Sequence, residues 1–561
     1  MYRQLPEAWA HQPAWTVLDT DFQHGQHFRT IWLAWQRDAQ RPRLLHYVAM
    51  AEALPVWLVT CDATGADRQP VGWGALSAQA LELGNGFHRL LLDAGRVSLT
   101  LCLGDVQRQL AEHVFQADTI FAAPPTDKWA VQLLARRCKR GTRFYFPAKP
   151  RQNLSGPTPT VALTQWLTAQ GFALDQAASE AAVQSGQFNP RWEISTSRSA
   201  SRQVHQATTH CAVIGAGIAG ASAAQALALR GWQVTVFDLD VAPARGASSL
   251  PVGLAVPHVS GDDNPRSRLS RSGTRLLAQH AMRLLTRDQD WAPSGVQERR
   301  SDGTTLWHAD ACWIKPSALV RVWLNQPGVH FKGGIQVAAL ECRADQWHLQ
   351  DGNGNDLGEF AVVIVANAMG CVPLLKNVPI DSLKEPEFRV TMAALHGIHG
   401  TLSLGHYLEP VANLPPTPIN GDGCFIPLVP GPEGAQWLAG STFETDALLA
   451  ADLPAQHAIN MQRVRHLLGD AGTDIVDTLE RGPHTQWSST RCVTHDRLPL
   501  VGPVEAASHP GLWMCIGMGS RGLSFSALCA ELLVARLGGE PWPIEFSLAR
   551  SLDVNRVRRG T

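Results

Sequence analysis

Residues 210–240 read HCAVIGAGIAGASAAQALALRGWQVTVFDLD. The apolar run Cys211–Ile214 predicts a short buried strand, followed by a glycine turn, a helix of small residues, and a second strand, Gln233–Phe237, that ends at Asp238. Gly215, Gly217 and Gly220 fit the spacing G-x-G-x-x-G. The first glycine makes a tight turn, the second lets the backbone approach a pyrophosphate, and the third lets helix and strand pack closely. The start of the helix offers unpaired N–H groups and a positive dipole end to phosphate. Gly231 stands where a helix C-cap glycine belongs, and Asp238 where a carboxylate can bind ribose hydroxyls. A bare glycine triplet would fit any glycine-rich turn. Strand, helix, second strand and acid together point to a dinucleotide site.

The rest of the chain extends well beyond this unit. At 561 residues it is too long for one core, and about two to four domains are expected. A hydrophobic content of 45% with 17% charged residues describes a globular chain. The net charge of −1 gives no global signal for nucleic acid, so such binding would need a local patch. The 11 cysteines are scattered, without a C-x-x-C pair or a zinc-type His/Cys cluster, so no metal is expected. The first residues carry no charged-then-apolar leader, and no apolar run is long enough to cross a bilayer. The expectation is a cytoplasmic protein.

Residues 1–180 alternate apolar strands with helical stretches. Trp15–Leu18, Leu44–Met50, Val97–Leu101, Thr119–Ala122 and Gly141–Pro147 read as strands, and Phe28–Trp35 and Val161–Ala169 as helices, which implies a mostly parallel α/β sheet. Residues 181–207 lie in a stretch rich in Ser, Gln, Ala and Arg and read as a linker, with Asn189–Trp192 as a segment that docks on a domain. The second domain spans 208–561. It holds a strand expected over Val329–Leu340, a buried strand Phe360–Ala366 that ends in small residues, a β-rich substrate-facing subdomain at about 385–480, a strand Leu512–Ile516 and a helix Leu523–Leu537. A dinucleotide domain interrupted in this way suits a flavoprotein better than a nicotinamide dehydrogenase.

Two later stretches bear on chemistry. Residues 490–502 read TRCVTHDRLPLVG, and residues 517–523 read GMGSRGL and open a helix. Together with VIGAGIAG they resemble the FAD-dependent amino-acid oxidase superfamily of the glycine oxidase and D-amino-acid oxidase type. The resemblance implies FAD as cofactor, with Gly215, Gly217, Gly220 and Asp238 on the adenosine side and Gly517, Gly519, Ser520 and Gly522 facing the flavin. It implies that Arg491 holds a substrate carboxylate, for which a guanidinium is suited because it pairs bidentately and fixes the carboxylate plane. Arg521 is a second candidate anion contact. The bland alternatives are a strand arginine paired to Asp496 or Asp240, and helix N-terminal packing for Arg521. His258, His484 and His495 read as structural.

An α/β domain ahead of such an oxidase, with GFHRLLLDAGRVSLTLCLGD at 86–105 and SALCAEL after GMGSRGL, resembles the family of bifunctional tRNA 5-methylaminomethyl-2-thiouridine biosynthesis proteins. The implied fold class is α/β: a methyltransferase-like domain with a parallel-type sheet, then a Rossmann-type FAD-binding domain with its β-rich substrate subdomain. The implied partner is tRNA with a modified wobble uridine. The oxidase half would remove the carboxymethyl group of 5-carboxymethylaminomethyl-uridine, and the other half would methylate the amine from S-adenosylmethionine. Three departures weaken the second activity. Asp21-Phe22-Gln23-His24-Gly25 stands for the family's G-F-G-T-G, Ala51 replaces the ribose-binding acid with Glu52 one residue out of register, and Phe121-Ala122-Ala123-Pro124-Pro125 lacks the Asp of L-D-G-F; only Gly104-Asp105 is kept. The first domain is therefore expected to bind S-adenosylmethionine weakly or not at all. Candidate phosphate contacts are Arg136, Arg137, Lys139, Arg140, Arg143, Lys149 and Arg151, the linker residues Arg191, Arg198 and Arg202, and the tail residues Arg556, Arg558 and Arg559. An oxidase of free glycine, sarcosine or D-amino acids, and a non-catalytic tRNA-binding flavoprotein, stay open as alternatives.

Overall fold

Strand β1 (Ala14–Asp19) lies near the centre of an eight-stranded sheet because its side chains are buried on both faces. The computed structural model describes residues 2, 5–22, 24–60, 72–80, 83–147, 160–175, 183–193, 210–376, 378, 394–431, 434–504 and 510–556. Two units emerge, Met1–Gln206 with Val534–Ala549, and Ala207–Leu533 with Arg550–Thr561.

In the first unit the further strands are β2 (Leu44–Ala51), β3 (Gly86–Leu92), β4 (Val97–Leu103), β5 (Ala117–Phe121), β6 (Cys138–Pro147), β7 (Phe172–Leu174) and β8 (Val183–Phe188), in the order β3-β4-β2-β1-β5-β6-β8-β7. The run from β4 to β6 is parallel, while β3 on β4 and β8 between β6 and β7 are antiparallel. Alternate residues feed opposite cores, Val17 and Tyr47 on one face and Leu18 and Val48 on the other. The strand order reverses between β1 and β5, the place where an open α/β sheet forms a crevice at its carboxyl edge.

Two features of this unit correct the sequence reading. Val183–Phe188 is not linker but strand β8. Its Gly186 admits no larger residue, since a Cβ there would lie 2.2 Å from the Ala173 carbonyl oxygen, and the polar composition of VQSGQF hides the strand. The following Asn189 and Trp192 accept from Arg140 through a side chain and a carbonyl, so this segment docks on the first unit. The second feature is Val534–Ala549, expected in the second domain but grouped with the first. The buried Arg89 donates to the Pro541 carbonyl at 2.5 Å, and Glu112 accepts the Ser547 N–H at 2.8 Å.

In the second unit, β9 (His210–Ile214) and β10 (Gln233–Phe237) run parallel in a six-stranded sheet with Val329–Lys332, Val362–Val365 and Leu512–Ile516, closed by the antiparallel edge strand Leu500–Pro503. The expected strand Val329–Leu340 is two strands. Gly333 and Gly334 break it, the latter at φ 72°, and Val337–Arg343 joins a separate three-stranded meander. The substrate-side sheet has seven strands and reaches from Val296 to Thr494, beyond the expected limits of 385–480. Within the stretch read as β-rich, Ala447–Ala451, Leu453–Leu468 and Thr473–Arg481 are helices. Asp452 caps the second of these by accepting from Ala455 N–H, with Pro454 in its first turn.

Behind the six-stranded sheet, helices Ile218–Leu229, Pro265–Leu284 and Gly522–Gly538 meet through small residues. A Cβ on Gly273 would lie 1.7 Å from the Ser524 carbonyl oxygen, and Ser222 Oγ donates to the Ser526 carbonyl at 3.2 Å. Near the end of the first helix Arg230 meets Glu531 in a two-pronged pair at 3.2 and 3.3 Å, both side chains under 10% exposed. Removing one member of such a pair strands a buried charge. Arg230→Ala is expected to destabilise the second unit by about 3–5 kcal/mol, and Arg230→Met with Glu531→Leu to recover most of that loss. Thermal unfolding of the full chain, followed by circular dichroism, measures both.

Candidate active site

Three loops and one sheet face enclose a cavity of about 820 Å³ in the second unit, within the ~300–1,000 Å³ usual for ligand pockets. The first loop is the glycine turn after β9. Gly215 has φ 107°, and a Cβ there would lie 2.7 Å from the Ala366 carbonyl oxygen. Gly217 is the extended N-cap of helix Ile218–Leu229, whose Ile218 N–H donates to Ser248 Oγ at 2.8 Å. Gly215 and Gly217 are on the cavity wall and Gly220 is not. Gly220 works from behind, since a Cβ there would lie 1.9 Å from the Gly215 carbonyl oxygen. Asp238, at the end of β10, accepts the Ala216 N–H at 2.5 Å and the Asp240 N–H at 2.9 Å. That locks the carboxylate beside the cavity while each oxygen keeps a lone pair for a hydroxyl.

Gly517, Gly519, Ser520, Arg521 and Gly522 line the same cavity. Gly517 and Gly519 take φ 73° and 57°, which favour glycine. Arg521 Nη1 donates to the Val256 carbonyl at 3.2 Å. Burial, and then neighbouring Arg266, lower the pKa of Arg521. Its geometry is that of a loop anchor.

Arg491 reaches the cavity from the strand His484–Thr494, paired in register with Ile398 of the strand Leu395–His406. Gly400 leaves room for the guanidinium, since a Cβ there would lie 2.3 Å from Nη2. Nη2 donates to Ser441 Oγ at 2.6 Å, and the guanidinium carbon lies 4.9 Å from the Phe443 ring centre. Nη1 is shielded from solvent and has no hydrogen-bond partner. Burial lowers the Arg491 pKa to about 10, which leaves it charged at neutral pH. Neither carboxylate considered from the sequence is its partner. Asp496 takes Arg556 in a bidentate pair, both bonds 2.8 Å, and Asp238 and Asp240 lie at the far, glycine-turn end of the wall. Among the described residues no carboxylate pairs with Arg491, whose one side-chain hydrogen bond is to Ser441.

Other sequence candidates lie elsewhere. His258 accepts from Arg266 at 2.7 Å, and burial, then Arg266, push its pKa down to about 4. His484 stacks on His457 and His495 on His396. The basic cluster of the first unit is tied into local contacts: Lys139 pairs with Asp118, Arg143 with Asp175, Arg137 turns to the His113 carbonyl, and Arg140 holds Asn189. Arg136 lies over Trp129, and Arg191 is exposed. Gln23, Lys149, Arg151, Arg198, Arg202, Arg558 and Arg559 lie outside the described residues. Missed from the sequence were Ser248, Ser441, Phe443 and Asn367, whose buried Oδ1 at the cavity has no partner. The small-residue loop at 247–253 was the signal for Ser248; nothing local marks Ser441 or Phe443.

Residues 210–296 and 275–536 match the family model for FAD dependent oxidoreductases. The chain is similar to the tRNA 5-methylaminomethyl-2-thiouridine biosynthesis bifunctional protein MnmC of Albidiferax ferrireducens, 43% identical over 98% of this chain and 94% of that one. It is also similar to the protein of that name from a Polaromonas species, 38% identical over 98% and 92%. Among solved structures it is similar to glycine oxidase from Geobacillus kaustophilus, 16% identical with a TM-score of 0.48, covering 62% of this chain and 99% of that one.

The glycine turn gives a direct test of the cofactor cradle. Gly220→Ala touches no cavity surface, yet it must push the Gly215 carbonyl out of place. The variant is expected to purify without flavin colour while its far-ultraviolet circular dichroism stays that of the parent.

Proposed function

The chain belongs to the family of bifunctional tRNA 5-methylaminomethyl-2-thiouridine biosynthesis proteins and carries an FAD-dependent oxidoreductase domain, and we propose that this domain removes the carboxymethyl group from 5-carboxymethylaminomethyl-uridine at the tRNA wobble position. The observation that carries the reading is the Arg491 guanidinium at the cavity wall, which pairs with no carboxylate among the described residues. The substrate ends in a glycine-like unit, N–CH2–COO⁻, whose carboxylate supplies the missing partner.

The glycine turn, Asp238 and Ser248 suit the adenosine and pyrophosphate portion of FAD, and the Gly517–Gly522 loop suits the flavin portion. When bound, FAD supplies the two-electron acceptor for a hydride from the N–CH2 carbon. Arg491 holds the carboxylate by paired hydrogen bonds, and Ser441 and Phe443 fix the guanidinium plane, so the α-carbon is presented in one orientation. Arg521, tied to Val256, holds the flavin-side loop in place. Loss of hydride and the amine proton leaves an imine, R–CH2–N=CH–COO⁻. Water adds to the imine carbon, and the C–N bond breaks to give glyoxylate and the 5-aminomethyl nucleoside. A half-exposed Phe443 beside Arg491 offers a ring face to a planar base, which favours a nucleoside-borne substrate over a free amino acid.

The decisive experiment adds tRNA carrying 5-carboxymethylaminomethyl-uridine to the protein without oxygen. Flavin bleaching and an aminomethyl nucleoside by mass are expected; an unchanged flavin and nucleoside would overturn the reading. Faster bleaching by free glycine or sarcosine would favour the free amino-acid alternative. Arg491→Met is expected to lower kcat/KM by about 10²- to 10³-fold with flavin still bound, because the carboxylate then enters without its charged partner.

A further inference from the structure

The family's second cofactor, S-adenosylmethionine, has its natural place at the crevice of the first unit, where the strand order reverses between β1 and β5. The residues at this edge do not fit it. A cofactor crevice needs small residues where backbone approaches the ligand, an acid for the ribose, and open space over the helix that follows β1. Among the described residues Asp21 stands where a small residue is needed, no acid ends β2, and the space is filled.

Space is the clearest failure. His27, in the first turn of helix Gln26–Arg37, stacks face to face on Phe121 at the end of β5, with ring centres 4.3 Å apart and planes 13° from parallel. Phe121 stacks in turn on Tyr145 of β6 at 5.3 Å. The Tyr2 hydroxyl reaches His27 Nδ1 at 2.5 Å, and burial, then the Asp19 charge, push its pKa up to about 12, so it stays protonated. Four rings from four parts of the chain thus bridge the point where the strands diverge.

On the other side of the turn, Gly25 is the one glycine kept from the expected loop. It has a packing role: a Cβ there would lie 2.1 Å from the Trp57 ring, which stacks on Trp73 and packs on Phe22. An indole therefore lies against the helix start that a ligand would approach. The polar groups are also engaged. Asp19 is 1% exposed and accepts from the Tyr47 hydroxyl at 2.6 Å and from the Asp21 N–H at 3.0 Å. Ala51 ends β2 and Ala122 follows β5 without a carboxylate, and Glu52 is exposed. The surviving Asp105 caps helix Val106–Glu112 by accepting from Arg108 N–H at 2.7 Å.

We infer that this chain has lost its family's S-adenosylmethionine site, the crevice being closed by its own aromatic side chains, and that it releases a primary amine which a separate methyl-transferring enzyme must consume. The loss stands on the first unit alone; the identity of the released amine rests on the oxidase reading above.

The test uses the full chain loaded with FAD. In equilibrium dialysis against labelled S-adenosylmethionine and S-adenosylhomocysteine, a dissociation constant above about 1 mM is expected; saturable binding below that overturns the inference. A second arm supplies tRNA that already carries 5-aminomethyl-uridine, together with methyl-labelled S-adenosylmethionine. No label should enter the tRNA, and incorporation overturns the inference. Because the amine is provided ready-made, this arm does not need the oxidase. Failure of the oxidase reading would show separately, as carboxymethylaminomethyl-uridine left unchanged.

Discussion

The second unit is built around backbone pressed against backbone. Helix Ile218–Leu229 is buried on nearly every side and carries Ala, Gly and Ser where a surface helix would carry charge. That composition lets Gly220 lie on the Gly215 carbonyl and Ser222 bond across to the helix Gly522–Gly538, while Gly273 brings a third helix against Ser524. Two of these helices begin at the loops that bound the cavity. Close packing at their flanks therefore fixes the position of both loops. A cofactor that spans them meets a cradle already set, which reduces the ordering cost of binding.

Against that background the Arg491 guanidinium has no carboxylate partner among the described residues. Two other guanidinium groups of the unit meet carboxylates: Arg230 with Glu531, Arg556 with Asp496. Arg491 has instead a serine hydroxyl, an aromatic ring and one unmatched N–H group. An unpaired buried donor weakens the folded state, and its persistence here is intelligible if an incoming anion completes it. The site is asymmetric by the same logic. Its adenosine end is made of backbone and glycine, its reacting end of side chains from the larger sheet.

Much of this was legible in the sequence, for reasons that differ by element. β1, β2, β4, β9 and β10 are short apolar runs between turn residues, and burial on both faces leaves no other reading. The glycine turn was legible because each glycine meets a separate steric demand. Arg491 stood out only through the motif around it, since an arginine on a strand has many ordinary uses. What stayed hidden depended on partners distant in sequence. β8 is polar because its backbone, more than its side chains, does the pairing. The helices at 447–481 lie among prolines and glycines that suggested strands, and their apolar faces make sense only once the sheet beneath them is known. Ser441 and Phe443 gain meaning only from a guanidinium some fifty residues away.

The segment Val534–Ala549 has a further consequence. The chain leaves the first unit near residue 206, returns to it at 534 and leaves again after 549. Such threading makes the first unit a discontinuous body, so no single cut frees it whole. A fragment ending at the apparent linker would lack the strip that includes the buried Ile544 and Leu548. Gene loss by truncation is correspondingly blocked: trimming the front of the chain would leave that strip without its packing surface. Covalent connectivity alone thus gives a reason to keep the first unit folded that is independent of any chemistry it performs.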